Sequence, residues 1–239
     1  MMISNSFELL CQAFRIQIES TYKLNYLRDD PGEAIGNIET SFNSILNSFH
    51  HLFDAIRKED KAFNYDIIPE LALIATLRNA RHHNIANGIR GIYNYHFRAH
   101  NAVDIKDSYL LIDFVAGEEG ADTIEYFVSW GDLYLMLGMH KKESWLKTET
   151  IGIINDYLNN EDIIKEAKRL GYEHTHIFIN AIPLILNAGI KLYPFITGKN
   201  EPLLTIESKH FDFHFREVKP SIIDKHLYTE LKDFYIPVD

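Results

Sequence analysis

Hydrophobic positions in the first ninety residues recur at the helical period. With a turn of about 100° per residue, Phe7, Leu10, Phe14, Ile18 and Tyr22 share one face, which predicts a helix over 5–27. Asp30-Pro31 followed by Glu33 reads as the start of a second helix, with Asp as the cap and Pro in the first turn. Its stripe, Ile35, Ile38, Phe42, Ile45, Phe49, Leu52 and Ile56, is the cleanest amphipathic pattern in the chain, and the charged run Arg57 to Lys61 closes it. Two long helices joined by a short turn should pack antiparallel. Pro69 opens a third helical run whose apolar stripe takes in Leu71, Ile74, Ala75, Ile85, Ile89, Ile92 and Tyr93. Asn87-Gly88 offers a cap within it; a break there would make the stripe beyond residue 88 fortuitous.

The pattern changes after Asn101. Tyr109–Ala116 and Thr123–Ser129 are rich in β-formers and read as a hairpin or a pair of adjacent strands. Ser129 with Asp132 resembles a capping box leading into Leu133–Leu137. Helical segments are expected near 143–158, 161–170 and 174–193, with Pro183 kinking the last or starting a new helix. Phe211, Phe213 and Phe215 alternate as in a strand, and a final helix is expected over 222–234. The fold class is therefore mainly α: an antiparallel helical bundle over 1–101, then a mixed α/β elaboration or second small domain over 102–239.

Composition narrows the function classes. Hydrophobic residues make up 46% and charged residues 24% of the 239, ordinary for a globular protein, with 15 Phe and 13 Tyr promising an aromatic core. Cys11 stands alone, so no internal disulfide forms, which fits a reducing compartment. The first residues lack the basic flank and apolar core of a signal peptide, and no apolar run is long enough to span a bilayer. A cytoplasmic protein without membrane contact is expected. The net charge of −10 excludes a general nucleic-acid coat, because phosphate neutralisation needs a basic face. An RNA would have to be drawn in by a local patch such as Arg78, Arg81, Arg90 and Arg98.

That patch lies in the third run, where Arg78-Asn79-Ala80-Arg81-His82-His83 interrupts apolar sequence. Arg78 and His82 fall on the apolar stripe, where an unpaired charge is costly. Arg78 must therefore find a carboxylate (Glu39 or Asp54 on the second helix), reach water in a cleft, or face a second subunit. Arg78-Asn79 followed by three residues and His83 resembles the Arg-polar-x-x-x-His signature of the HEPN superfamily, helical-bundle domains of toxin–antitoxin, phage-defence and RNA-processing ribonucleases. The resemblance covers roughly the first hundred residues. It implies a HEPN-like bundle, a homodimer with both motif helices near the two-fold axis, and a catalytic set of Arg78, Asn79 and His83. Arg81, His82, Asn87 and Arg90 would assist in binding substrate, and an antitoxin or other protein partner is possible for such a domain. Many members have lost activity, so a non-catalytic module binding RNA or protein is the alternative.

The chemistry suits those residue types. A histidine near neutrality can take the proton of a 2′-hydroxyl or return one to a leaving 5′-oxygen, and an arginine spans two phosphoryl oxygens. On an unbroken helix His82, not His83, shares the face of Arg78. His83 instead has Asn79, Asn87 and Arg90 on its side, which makes it the expected acid/base, with His82 a buried structural residue. No cofactor or metal is expected: His96 and His100 lack a third ligand, and phosphate-binding glycine loops are missing. His50 and His51 read as packing and surface residues, and Cys11 as an inert core thiol.

Overall fold

The computed structural model describes residues 2–22, 29–82, 88–100, 105–118, 124–139, 146–197 and 203–236; at 99 and 100 only the backbone is described. Helix α1 (Met2–Tyr22) and helix α2 (Pro31–Glu59) are the first two elements. Asp30 caps α2 as its sequence implies, the carboxylate accepting from the Glu33 amide at 2.9 Å with Pro31 in the first turn. The two helices run antiparallel. Ser41 Oγ donates to Gln17 Oε1 at 2.6 Å midway along the pair, and Lys58 Nζ lies 3.7 Å from Met2 Sδ at one end. All seven expected stripe residues of α2 are buried, whereas Tyr22, placed on the α1 stripe, is 74% exposed.

Helix α3 (Pro69–His82) follows a short 3-10 turn at Tyr65–Ile67. It buries every residue from Leu71 to Leu77, and Ala80, so it is a central core helix rather than an amphipathic one. Its described part ends at His82, and the chain passes through left-handed backbone at Gly88 (φ 78°) and Ile89 (φ 52°) before helix α4 (Ile92–His100). The apolar stripe continued past residue 88 by periodicity is thus two separate helices.

The remaining elements are strand β1 (Asp107–Val115), strand β2 (Phe127–Ser129), helix α5 (Trp130–Gly138), helix α6 (Thr148–Leu158), helix α7 (Asn160–Leu170), strand β3 (Ile177–Asn180), helix α8 (Ala181–Thr197), helix α9 (Ile206–Glu217) and strand β4 (Ile222–Phe234). The strands form one mixed sheet in the order β2-β3-β1-β4, with β3 parallel to β1 and both edge strands antiparallel to their neighbours. The protein is mainly helical with this small sheet.

Several expectations are corrected here. β1 and β2 are not a hairpin, because β3 inserts between them. Ile177–Asn180, read as helix, is that inserted strand; all four residues are buried. Phe211, Phe213 and Phe215 lie on helix α9, where Phe211 and Phe215 are one turn apart in the core and Phe213 points to solvent at 58% exposure. The final helix over 222–234 is strand β4. Its regular ladder pairs Tyr109–Phe114 with His226–Leu231 and ends in register shifts at both sides, irregularities that blunt a free sheet edge.

One apolar core runs from Ile3 to Ile223 and draws on residues before and after 101. Helix α9 closes over α1, with Phe211 stacked on Phe14 at 4.9 Å and Phe215 at 6.0 Å from it. The sheet turns Leu110, Ile112, Phe114, Ile177 and Ile179 into this core. Its opposite face carries Tyr109, Leu111 and Phe178 and is covered by short helix α4 through Ile92, Tyr93 and Tyr95.

Candidate functional site

Arg78 sits one turn from the end of α3, where the core helix emerges from its neighbours. Its Nε donates to Asn47 Oδ1 at 3.3 Å across on α2, and Nη1 donates to Asn79 Oδ1 at 2.9 Å. Among the described residues no carboxylate forms an ion pair with it, so neither Glu39 nor Asp54 is its partner. Neutral amide oxygens hold the guanidinium in place and leave its charge unspent. It lines a recess of about 220 Å³ with Asn43, Leu46, Asn47, Arg81 and His82.

His50 stands one turn beyond Asn47 on α2 and was read from sequence as a packing residue. Its pKa is held below the ordinary imidazole value, first by burial and then by the positive charge of Arg78. Its Nε2 lies 3.8 Å from Asp54 Oδ2. Asn43, Asn47, His50 and Asp54 recur at four- and three-residue spacing, a polar stripe beside the apolar stripe of α2. That repetition is the signal by which His50 could have been found.

Arg81, three residues from Arg78, has the opposite surroundings. Its side chain is only 7% exposed. Nη2 is bonded to Glu39 Oε2, Nη1 donates to Asn43 Oδ1 at 3.1 Å, and Nε donates to the Gly88 and Ile89 carbonyls at 3.1 Å each. The plane lies over the Phe42 ring at 5.0 Å. The second oxygen of Glu39 accepts the Gly91 amide at 2.9 Å. A Cβ at Gly91 would press on the Glu39 carboxylate and the Tyr126 hydroxyl, so any larger residue would push these two side chains out of place. These groups pin α3, α2, the 88–91 segment and the entry to β2 to one another. Arg81 is thereby occupied in a structural node and turned away from solvent.

Arg90 is also taken: Nε and Nη2 grip Asp132 at 3.1 Å each, and its guanidinium stacks on Tyr95 at 4.4 Å. Asp132 is set by the expected cap of α5, where Ser129 Oγ accepts its amide at 3.1 Å. This pair borders a wider cleft of about 1200 Å³ between α5, α6 and α7, remote in sequence from the Arg78 recess. His82 is exposed at the end of α3, not buried as its place on the stripe implied, because the helix has left the core by that residue. It lines the recess with Arg78. His83 and Asn87 lie outside the described residues. The structure therefore brings Arg78, Asn79 and His82 together with Asn43 and Asn47, leaves His50 one turn further along α2, and commits Arg81 and Arg90 to carboxylates.

No family model matches the chain, and no curated protein and no solved structure matches it.

Proposed function

We propose that the chain is a HEPN-like endoribonuclease of the phage-defence or toxin–antitoxin kind, cleaving RNA by attack of its own 2′-hydroxyl. Arg78 clamps the scissile phosphate, Asn79 fixes the arginine, and His83 is the general acid and base; a homodimer sets two such recesses side by side. The observation that carries this reading is the contrast in partners. Arg78 is held by two amide oxygens and keeps a full charge beside water, which suits a phosphoryl group that gains charge in the transition state. His50, inside the field of Arg78, stands one turn further along α2 from the recess residue Asn47.

A second reading has its own support. With Arg81 and Arg90 neutralised, the basic patch shrinks around Arg78 on a chain of net charge −10. That footprint favours a non-catalytic module binding RNA weakly or a protein partner. Incubation of single-stranded RNA with the folded chain in EDTA separates the two. The nuclease reading expects products with 2′,3′-cyclic phosphate and 5′-hydroxyl ends. Activity lost in EDTA and restored by magnesium contradicts the mechanism, and RNA left intact by a folded dimer supports the second reading.

A further inference from the structure

The outer face of the sheet is wider than the helix that covers it. Beside the first turn of α4 a groove of about 530 Å³ opens over Leu111 of β1, Phe127 of β2 and Phe234 of β4, with Ile92 and Tyr93 of the helix on one side. Its size is that of a small-molecule site. Tyr93 and Phe234 meet at 5.7 Å with planes 56° apart, forming one aromatic wall, and Tyr22, 74% exposed, stands at the rim. These rings gather in one groove that shares no lining residue with the Arg78 recess.

Two of the polar groups lining this groove are already bonded within the fold. Thr21 donates its hydroxyl to the Gln17 carbonyl at 2.9 Å, and the Tyr126 hydroxyl faces Arg81 at 3.4 Å. Among the described residues that line the groove Glu125 is the only charged one, and its carboxylate has no hydrogen-bond or ion-pair partner among the described residues. Asp113 lies near enough to add a second negative charge; its Oδ1 accepts from Asn180 Nδ2 at 3.2 Å. The apolar surroundings and Asp113 together hold the Glu125 carboxyl above its ordinary range, and the Glu125 charge in turn helps hold the Tyr93 hydroxyl up.

We infer that this groove is a binding site for a small quaternary ammonium cation, its methyl groups against Tyr22, Tyr93, Phe127 and Phe234 and its charge toward Glu125. Aromatic faces attract such a cation through their quadrupoles, and a carboxylate adds a direct charge contact. A methylated nitrogen needs no acceptor and places its methyl groups on the aromatic faces, which suits a groove walled mainly by rings. The site is independent of the ribonuclease reading and shares no residue with it.

The test is titration of the full-length chain with choline, followed by calorimetry or by the Tyr ring resonances. Its uncharged isostere, 3,3-dimethyl-1-butanol, serves as the comparison. Choline is expected to saturate a single site and to bind about tenfold more tightly than the alcohol. Glu125→Gln, a change on an exposed side chain, should lower choline affinity about tenfold and leave the alcohol unaffected. Tyr22→Ala, at the rim and outside the core, should weaken choline by a smaller factor. Equal binding of choline and the alcohol, choline affinity unchanged in Glu125→Gln, or no saturable choline binding overturns the assignment.

Discussion

Arg78 and Arg81 are three residues apart on one helix and have opposite surroundings. Arg81 is enclosed, faces Glu39, and has a bond from each guanidinium nitrogen. Arg78 is held by Asn47 and Asn79 and opens on a recess. A buried pair fixes geometry but cannot be lent to a ligand without stranding its partner. A cation held by neutral oxygens loses little when an anion arrives. The difference separates an arginine that builds the fold from one available for chemistry, although the two share a motif and a helix.

The largest effect is expected from Arg81→Ala, which leaves the Glu39 carboxylate without its cation and frees the 88–91 segment. It should cost about 3–5 kcal/mol and lower the melting temperature by roughly 10 °C. The double variant with Glu39→Gln should recover part of that loss. A smaller cost, about 2 kcal/mol, is expected for Arg90→Ala, because the Arg90 side chain is 19% exposed against 7% for Arg81 and, among the described residues, bonds one carboxylate only. Denaturant unfolding monitored by circular dichroism measures both. Arg78→Ala should fall within about 0.5 kcal/mol of the parent; a loss as large as that of Arg81→Ala would erase the distinction between them.

The smallest effect concerns pH. The folded pKa of His50 is held below its ordinary value of 6.5. The unfolded chain therefore takes up this proton first, and stability is lost as pH falls from about 6.5 toward the lowered folded value, with no contribution above it. His50→Asn should flatten that part of the stability–pH curve. Arg78→Ala should raise the His50 titration midpoint followed by NMR, since Arg78 is the second cause of its depression. An unmoved midpoint would place Arg78 too far away to act on His50.

How legible these features were depended on how local their causes are. The α2 stripe and the caps at Asp30 and Ser129 involve residues within a few positions, and the sequence shows them directly. The tail was inverted for the converse reason. Leu227, Leu231 and Phe234 are spaced as on a helix, and pairing with β1 overrides that spacing. Phe211 and Phe215 fit either an alternating strand or one helical turn, and the faces of α1 decide it. Ile177–Asn180 is too short an apolar run for periodicity to classify. In the site, Arg78 and His82 were readable as a group. The capture of Arg81 was not, since Glu39 and Tyr126 lie 42 and 45 residues away.

If Arg78 acts on RNA while Arg81 holds the fold, cleavage of single-stranded RNA by the parent and by Arg78→Ala, in EDTA with melting curves recorded on the same samples, separates the two roles. The parent is expected to cut RNA to cyclic-phosphate ends, and Arg78→Ala to melt within about 2 °C of it yet cleave at least about 100-fold more slowly. Undiminished cleavage by the folded Arg78→Ala protein, or loss of its fold, would contradict that division of roles.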